Sequence, residues 1–245
     1  MKNALFLIAF CAVVQSASAA NVQIQVIDRD GKPVPEAVVV VYPASGGAPP
    51  AAPSTGTTIE QERMRFLPAV TVVTPGTSVR FVNRDRWDHH VRGAPAGLAA
   101  ATSSAAAAGV GAGFELRLAG KSAGKDDSSS EVRMDTAGVL LLSCHLHGSM
   151  RGHVFVTDSA YTVKTDTDGI ARFVNVPDGG AQVRVWHAEQ LIDLPRKAVQ
   201  LSSSQVNETV QLSVVPRVRR APPGAAPARS TSPGGYGSSN GYSSQ

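Results

Sequence analysis

Cysteine is scarce in this chain, which has only 2 such residues among 245. Cys11 lies in an apolar N-terminal run, so removal of that run would leave Cys144 alone. Exported proteins usually use cysteines in pairs, as disulfides, and a lone thiol there is oxidised unless it is buried or occupied. The low count excludes a disulfide framework. It leaves Cys144 as either an inert buried residue or a functional one.

Long apolar runs and basic stripes are also missing. No segment after the N-terminus approaches the ~20 apolar residues that a membrane-spanning helix needs. Aromatic residues make up 5% of the chain and the net charge is +4, with much of the basic excess in the C-terminal tail. No run of Lys and Arg interleaves with aromatics. We therefore expect no membrane span and no nucleic-acid partner.

The first 20 residues have the pattern of a secretory signal peptide. Lys2 provides a basic start, residues 4–14 form an apolar centre, and small residues precede a polar mature start. A buried N-terminal helix is the alternative. We predict cleavage near Ala19 or Ala20, which exports a mature chain of about 225 residues to the periplasm.

The rest of the chain has the patterns of an all-β protein. Val22, Ile24 and Val26 alternate with polar residues, residues 37–42 form a β-branched strand, and residues 63–67 form another. Residues 43–58 are typical of a linker, and no long amphipathic helix is present. We predict a signal peptide (1–20), the first part of a flanking β module (21–56), a central β domain (57–157), the second part of the flanking module (158–215) and a disordered tail (216–245).

Soft metal ligands are concentrated in one short segment of the central domain. Cys144, His147 and Met150 lie where a strand ends, and Gly148 and Gly152 allow the backbone to turn sharply. Two histidines, one cysteine and a distant axial methionine form the ligand set of copper electron-transfer sites. Zinc accepts Cys and His but has little use for a thioether. This set therefore favours copper.

A second histidine must come from elsewhere, and His89 and His90 at the end of another strand are the candidates. Ligands from two distant segments would have their geometry preset by the fold. Met150 on its own could be a core residue, but the preceding Cys144 and His147 favour ligation. The chain offers no second cysteine for a binuclear copper centre and no converging His-x-His pairs for a multicopper oxidase. We therefore expect no enzymatic activity.

The combined pattern resembles the cupredoxins. It joins Asn83, His89 and Val91 to the motif Cys144-x-x-His147-x-x-Met150-Arg-Gly-x-Val, and its short ligand loop is similar to that of the amicyanins. The wider pattern resembles a periplasmic group of cupredoxin-like proteins called methylamine utilization proteins. The segments that carry this likeness are residues 66–68, 76–77, 83–91, 114–116 and 165–187, within a resemblance that covers most of residues 21–190.

The resemblance implies a Greek-key cupredoxin β-sandwich that binds one copper ion. It implies that the ligands are His89, Cys144, His147 and Met150. It also implies single-electron transfer between protein redox partners, whereas copper binding or delivery without electron transfer is the alternative. The spacing from Asn83 favours His89, but His90 stands where amicyanin-like sequences usually have asparagine, so its contribution stays open.

Two further segments resemble the first and last parts of a carboxypeptidase-regulatory-like β-sandwich. We hypothesise that the copper domain is inserted into this flanking module between Tyr42 and Tyr161, since insertion is tolerated where chain ends lie close together. A strand at residues 22–26 that paired only with strands of the copper domain would contradict this hypothesis.

The remaining candidates near the ligands have simpler interpretations. His145 follows Cys144 on a strand and should point to the opposite face. His153 is expected to be structural, and His187 is expected to belong to the flanking module. Trp87 either covers the site or is a loop aromatic, and the sequence favours neither.

Overall fold

The computed structural model describes residues 19–46, 56–96, 113–122, 126–190, 192–202, 205–213 and 215. These residues form strands and no helix, which confirms the prediction of an all-β protein. They accordingly contain no helix that could cross a membrane. The apolar part of the predicted signal peptide and the predicted disordered tail lie outside the described residues.

The strands follow one another along the whole described chain. In order they are β1 (Ala19–Ile27), β2 (Val38–Pro43), β3 (Thr57–Glu62), β4 (Arg65–Leu67), β5 (Val70–Val73), β6 (Thr77–Asn83), β7 (His89–Pro95), β8 (Phe114–Leu118), β9 (Ser129–Met134), β10 (Gly138–Cys144), β11 (Arg151–Val156), β12 (Tyr161–Lys164), β13 (Ile170–Pro177), β14 (Gly179–Trp186), β15 (Lys197–Leu201) and β16 (Val206–Gln211).

Two sheets built from both ends of the described chain enclose one hydrophobic core. Their strand orders are β13-β1-β16 and β12-β2-β14-β15. In β1 the buried Val22, Ile24 and Val26 alternate with more exposed residues, because successive side chains of a strand point to opposite faces. They meet Val41 and Phe173 of the other strands in a single apolar cluster. We call this pair of sheets the flanking sandwich.

Two other sheets, drawn entirely from residues 57–156, enclose a second core. Their orders are β5-β11-β10-β7-β8 and β4-β3-β6-β9. Each contains one parallel pair, β5 with β11 and β3 with β6, among antiparallel neighbours. Ile59, Phe81 and Leu142 pack in this core together with Cys144 and Met150. We call this pair of sheets the ligand sandwich.

Strand β2 joins the two sandwiches because it is buried on both of its faces. Val38, Val39, Val40 and Val41 are all fully buried. Val39 and Val41 belong to the flanking core, whereas Val38 and Val40 pack in a third cluster with Phe155 of β11 and with Trp186. Burial of a valine contributes about 1.5–3 kcal/mol. The four sheets therefore stack as layers, with apolar side chains packed between neighbouring sheets.

The structure corrects four details of the strand prediction. His89 begins strand β7 instead of lying at the end of a strand, because β6 already ends at Asn83. Residues 57 and 58 belong to β3 and not to a linker, Arg63 and Met64 form a turn before β4, and β15 was not predicted. The two turn residues have positive φ values of 53° and 55°, which a strand excludes. Strand β3 escaped prediction because its sequence is mostly polar, with few apolar residues to show a two-residue period. Strand β15 escaped it because its five residues contain only two buried apolar positions, Val199 and Leu201, which is too short a pattern to recognise.

Gly169 closes the turn before β13 in a conformation that an L-residue adopts only under strain. Its φ is 72°, and an added Cβ would lie 2.6 Å from the Val26 carbonyl oxygen and 2.8 Å from the Val34 nitrogen. We expect Gly169→Ala to lower the free energy of unfolding by about 2–3 kcal/mol, measured by urea denaturation. Gly31→Ala is the matched control, because Gly31 has φ 81° and no atom within 4 Å of an added Cβ. Equal losses in both variants would contradict a role for the close backbone contact.

Candidate metal centre

The two segments that hold the predicted ligands lie side by side in the ligand sandwich. Strand β7 begins at His89 and strand β10 ends at Cys144, and the two pair antiparallel with Cys144 opposite Val91. Because side chains alternate along a strand, His89, Val91 and Cys144 all point to the inner face. His90, between the first two, points to the outer face.

Three ligand-type atoms converge at this inner face. The Cys144 Sγ lies 3.6 Å from the Nδ1 of His89 and 3.6 Å from the Nδ1 of His147, and the two nitrogens are 3.2 Å apart. A point equidistant from the three atoms lies about 2 Å from each, close to the ~2.0–2.3 Å of metal bonds to imidazole nitrogen and thiolate sulfur. The group therefore has the size and the chemistry to hold a metal ion.

Burial makes the arrangement rigid. His89 is 1% exposed and Cys144 is 3% exposed, and the His147 ring packs edge-on against the His89 ring with centroids 4.9 Å apart. His147 itself is only partly buried. Of these three candidate ligands, His89 and Cys144 are thus enclosed in the core, and His147 is the one nearest to solvent.

Asp85 fixes the orientation and the tautomer of His89. Its Oδ2 lies 2.9 Å from the His89 Nε2, and an ionised carboxylate can only accept a hydrogen bond. The proton of the neutral ring is therefore on Nε2, and the lone pair of Nδ1 points to Cys144 and His147. A carboxylate behind a histidine ligand is the usual way in which proteins set ring orientation and basicity.

Asp85 is in turn held as a carboxylate by the turn before β4. The backbone N–H groups of Arg63 and Met64 donate to its two oxygens at 2.6 and 2.9 Å. Burial raises the pKa of Asp85, but the hydrogen bonds from Met64, His89 and Arg63 together outweigh it, so that the pKa lies below its usual value. The same carboxylate thus caps a turn with two positive-φ residues and supports the candidate ligand His89.

Asn83 closes the loop that leads to His89. The side chain is fully buried, and its Nδ2 donates to the carbonyl oxygens of Trp87 and Ala119 at 2.9 and 3.0 Å. Its Oδ1 accepts the N–H of Asp85 at 2.9 Å. Residues 84–88 are therefore held in a compact loop that sets the start of β7 against the end of β8.

Met150 closes the loop at the other end of the centre. Its backbone N–H donates to the His147 carbonyl oxygen at 2.9 Å, and its side chain is 1% exposed in the core cluster that contains Cys144.

The two glycines of the loop differ in how closely they are packed. Close packing requires a glycine at position 152, since an added Cβ would lie 3.0 Å from the Phe66 Cβ. Gly148 has open space around it, so no close contact there requires a glycine.

The structure places His90 outside the centre. Its ring stacks at 4.8 Å from the ring of His145, and its Nε2 lies 3.4 Å from a carboxylate oxygen of Glu115. His145 is on the opposite face from Cys144, as expected from strand alternation. The strand geometry thus places His89, which the spacing from Asn83 favours, beside Cys144 and turns His90 away from it.

The other predicted candidates also have defined surroundings. The ring of His153 packs 5.1 Å from that of Trp186, at the junction of the two sandwiches. His187 is 9% exposed, and its Nδ1 accepts the backbone N–H of Glu189 at 3.2 Å. Trp87 is 36% exposed, and the Arg86 guanidinium lies 5.0 Å from its ring centroid.

Asp85 is the residue of the candidate centre to which the sequence assigned no role. It was visible only as part of the segment 83–91, with no role assigned to it. Its position four residues before a candidate histidine ligand was the available signal, because a buried carboxylate commonly supports such a histidine. The loop geometry that turns Asp85 towards His89 cannot be inferred from that spacing.

Among the solved structures that are similar to this chain are several of amicyanin. Amicyanin from Paracoccus versutus (Thiobacillus versutus) is 20% identical, with 48% of this chain and 97% of that chain covered and a TM-score of 0.31. An oxidized amicyanin variant is 17% identical, with 50% and 99% covered and a TM-score of 0.32. The Cu(I) form of another variant is 19% identical, with 48% and 99% covered and a TM-score of 0.31. No protein-family model and no curated protein matches the chain.

Because the likeness is low in identity and covers half of the chain, the assignment of the fold depends on the chain itself. Its ligand sandwich packs a five-stranded and a four-stranded sheet, each with one parallel pair, around a single core. The ends of two neighbouring strands and the loop after one of them bring His89, Cys144 and His147 together. With this architecture and this placement of the histidine and cysteine side chains, residues 57–156 have a cupredoxin-like fold.

Proposed function

We propose that this chain carries single electrons through one copper ion held by His89, Cys144, His147 and Met150. The observation that carries the proposal is the convergence of a thiolate-forming sulfur and two imidazole nitrogens within 3.6 Å of one another. When bound there, copper would supply the reversible Cu(I)/Cu(II) couple. Two histidines, a cysteine and a methionine are the set that suits this couple.

The protein side chains supply rigidity and insulation. His89 is fixed by Asp85, and Cys144 and Met150 are packed in the core, so little has to move when the charge of the centre changes. Partly exposed His147 is the ligand through which an electron would reach a partner. These features favour electron transfer over copper delivery, because a delivery site needs ligands that open to exchange the ion.

We also propose that the copper domain, residues 57–157, is inserted into a flanking module formed by residues 21–56 and 158–215. Strand β1 pairs with β13 and β16, and β2 pairs with β12 and β14, so strands from before and after residues 57–157 share sheets. The Ser159 hydroxyl donates to the Val41 carbonyl oxygen at 2.7 Å, and the Tyr42 hydroxyl donates to Asp158 at 3.1 Å. The chain thus returns close to where it left, which is the condition for an insertion.

The proposed setting is the periplasm, where the protein would exchange electrons with protein partners and catalyse no reaction itself. The sequence of residues 1–20 supports export. Burial and metal binding would protect the lone thiol of Cys144 in that oxidising compartment.

The direct test is the visible spectrum and voltammetry of the purified chain. One equivalent of Cu²⁺ is expected to produce an intense blue or green colour from sulfur-to-copper charge transfer, and one reversible redox wave at constant copper content. Metal-free and Zn²⁺-loaded protein, which are both expected to be colourless, are the controls. A colourless copper complex would contradict the proposal. A coloured complex that loses its copper on each redox cycle would instead indicate a delivery protein.

A further inference from the structure

A second group of side chains able to bind metal lies on the outer face of the same strands. His145 donates its backbone N–H to the His90 carbonyl oxygen at 3.0 Å, so the two histidines are cross-strand neighbours at the ends of β10 and β7. Glu115 of β8 pairs with Arg92, two residues beyond His90 on the same face. Strand alternation therefore brings His90, His145 and Glu115 together. We call them the outer cluster.

The three side chains of the outer cluster are neighbours, but in this structure their ligand atoms do not converge on one point as those of His89, Cys144 and His147 do. One oxygen of Glu115 lies 3.4 Å from the His90 Nε2, and the other lies 3.9 Å from the His145 Nε2. The two imidazole rings are 4.8 Å apart. His145 and Glu115 have side chains that are 47% and 57% exposed, so small rotations can close the group around an ion without disturbing the core.

Two arginines on this face act against a cation. The Arg92 Nε lies 4.0 Å from Glu115, and Arg117 stands opposite His90 in the strand register. Both are exposed, where water and salt screen their charge. Arg92 competes with an ion for the Glu115 carboxylate, so its removal should strengthen binding by the outer cluster.

We propose that His90, His145 and Glu115 form a second metal site, for a divalent transition metal ion such as Cu²⁺. Two imidazoles and a carboxylate are ligands that Cu²⁺ and Zn²⁺ accept. The site differs from the buried centre in having no sulfur and in being open to solvent. The outer site does not depend on the proposed electron transfer, since it shares no side chain with the buried centre.

Counting bound copper in the full chain tests this site. The chain is titrated with Cu²⁺, bound metal is measured by equilibrium dialysis, and the visible spectrum is recorded at each step. We expect two bound ions, with the intense visible absorption complete after the first and no further intense band from the second. Binding of a single ion that produces the intense band would overturn the second site. Binding of a single ion without any intense band would contradict only the buried copper centre.

Four variants assign the second ion. His145→Ala and Glu115→Gln are each expected to weaken its binding at least ~10-fold, since even groups that only support a ligand contribute ~10–100-fold. Arg92→Gln is expected to tighten it. Glu131→Gln, which removes an exposed carboxylate on β9, is the matched control and should leave it unchanged. Unaltered second-ion binding in His145→Ala would overturn the proposal, and circular dichroism and thermal unfolding verify that each variant is folded.

Discussion

Cys144→Ser is expected to abolish the intense visible absorption of the copper-loaded chain. The absorption requires a sulfur-to-copper transition, and a hydroxyl group cannot supply one. Copper affinity should fall by more than the ~10–100-fold typical of losing a supporting group, because the variant removes the only thiolate of the set. Absorption spectra and dialysis against a copper chelator of known affinity measure the two effects.

The matched control for this variant is Ser143→Ala, which changes the preceding residue on the other face of β10. The Ser143 side chain points away from the centre, because Cys144 is turned inward and alternation reverses the direction at each step. Its spectrum and affinity should equal those of the unaltered chain. Retention of the intense colour in Cys144→Ser would contradict the assignment of Cys144 as a ligand.

Asp85→Asn is expected to damage the copper centre and the fold together. An amide has one acceptor oxygen where Asp85 uses two, so at least one of the N–H groups of Arg63, Met64 and His89 loses its acceptor. Hydrogen bonds to a charged group contribute about 1.5–3 kcal/mol, and the free energy of unfolding should fall by this amount. Urea denaturation of the metal-free chain measures it.

The effect of this variant on copper follows from the tautomer of His89. If the side-chain amide of the variant donated to Nε2, it would move the ring proton to Nδ1, the atom that faces Cys144. Copper affinity is therefore expected to fall about 10–100-fold. Asp88→Asn is the control, because Asp88 is exposed, lies in the same loop and accepts the Gly120 N–H at 2.7 Å. A loss of stability with no loss of copper affinity would show that Asp85 supports the turn but not the candidate ligand His89.

The two variants separate two contributions to the same centre. Cys144 is a candidate ligand whose loss changes the spectrum directly, whereas Asp85 acts through His89 and through the turn at residues 63–64. A centre held by side chains of a buried core and by a capped turn resists rearrangement. This rigidity is what the proposed electron transfer requires, because little then has to move when the charge of the centre changes.

The candidate ligand loop and the alternating strands could be predicted from the sequence, because each depends on residues only a few positions apart. The residue types and spacing of Cys144, His147 and Met150 indicate a soft metal site within one loop, and a two-residue period indicates strands in both sandwiches. The positions of the turns at Gly76 and Gly169 follow from local backbone preferences in the same way. Such features can be recognised in the sequence because the interacting residues are few positions apart.

Other features were decided only by tertiary structure. Strand β3 has a mostly polar sequence, so it became recognisable only through its pairing with β4 and β6. The stacking of the two sandwiches on both faces of β2 likewise depends on Phe155 and Trp186 from distant strands. Local sequence patterns do not indicate which distant strand packs against a given face of a sheet.

The lone cysteine shows the same division. The sequence by itself determined that Cys144 is the one cysteine outside the predicted signal peptide and that His147 and Met150 accompany it. Only the tertiary structure decided that His89 and not His90 faces it, and that Asp85 orients His89. The physical reason is that strand register fixes which of two adjacent side chains points inward, and register is set by hydrogen bonds between strands far apart in the chain.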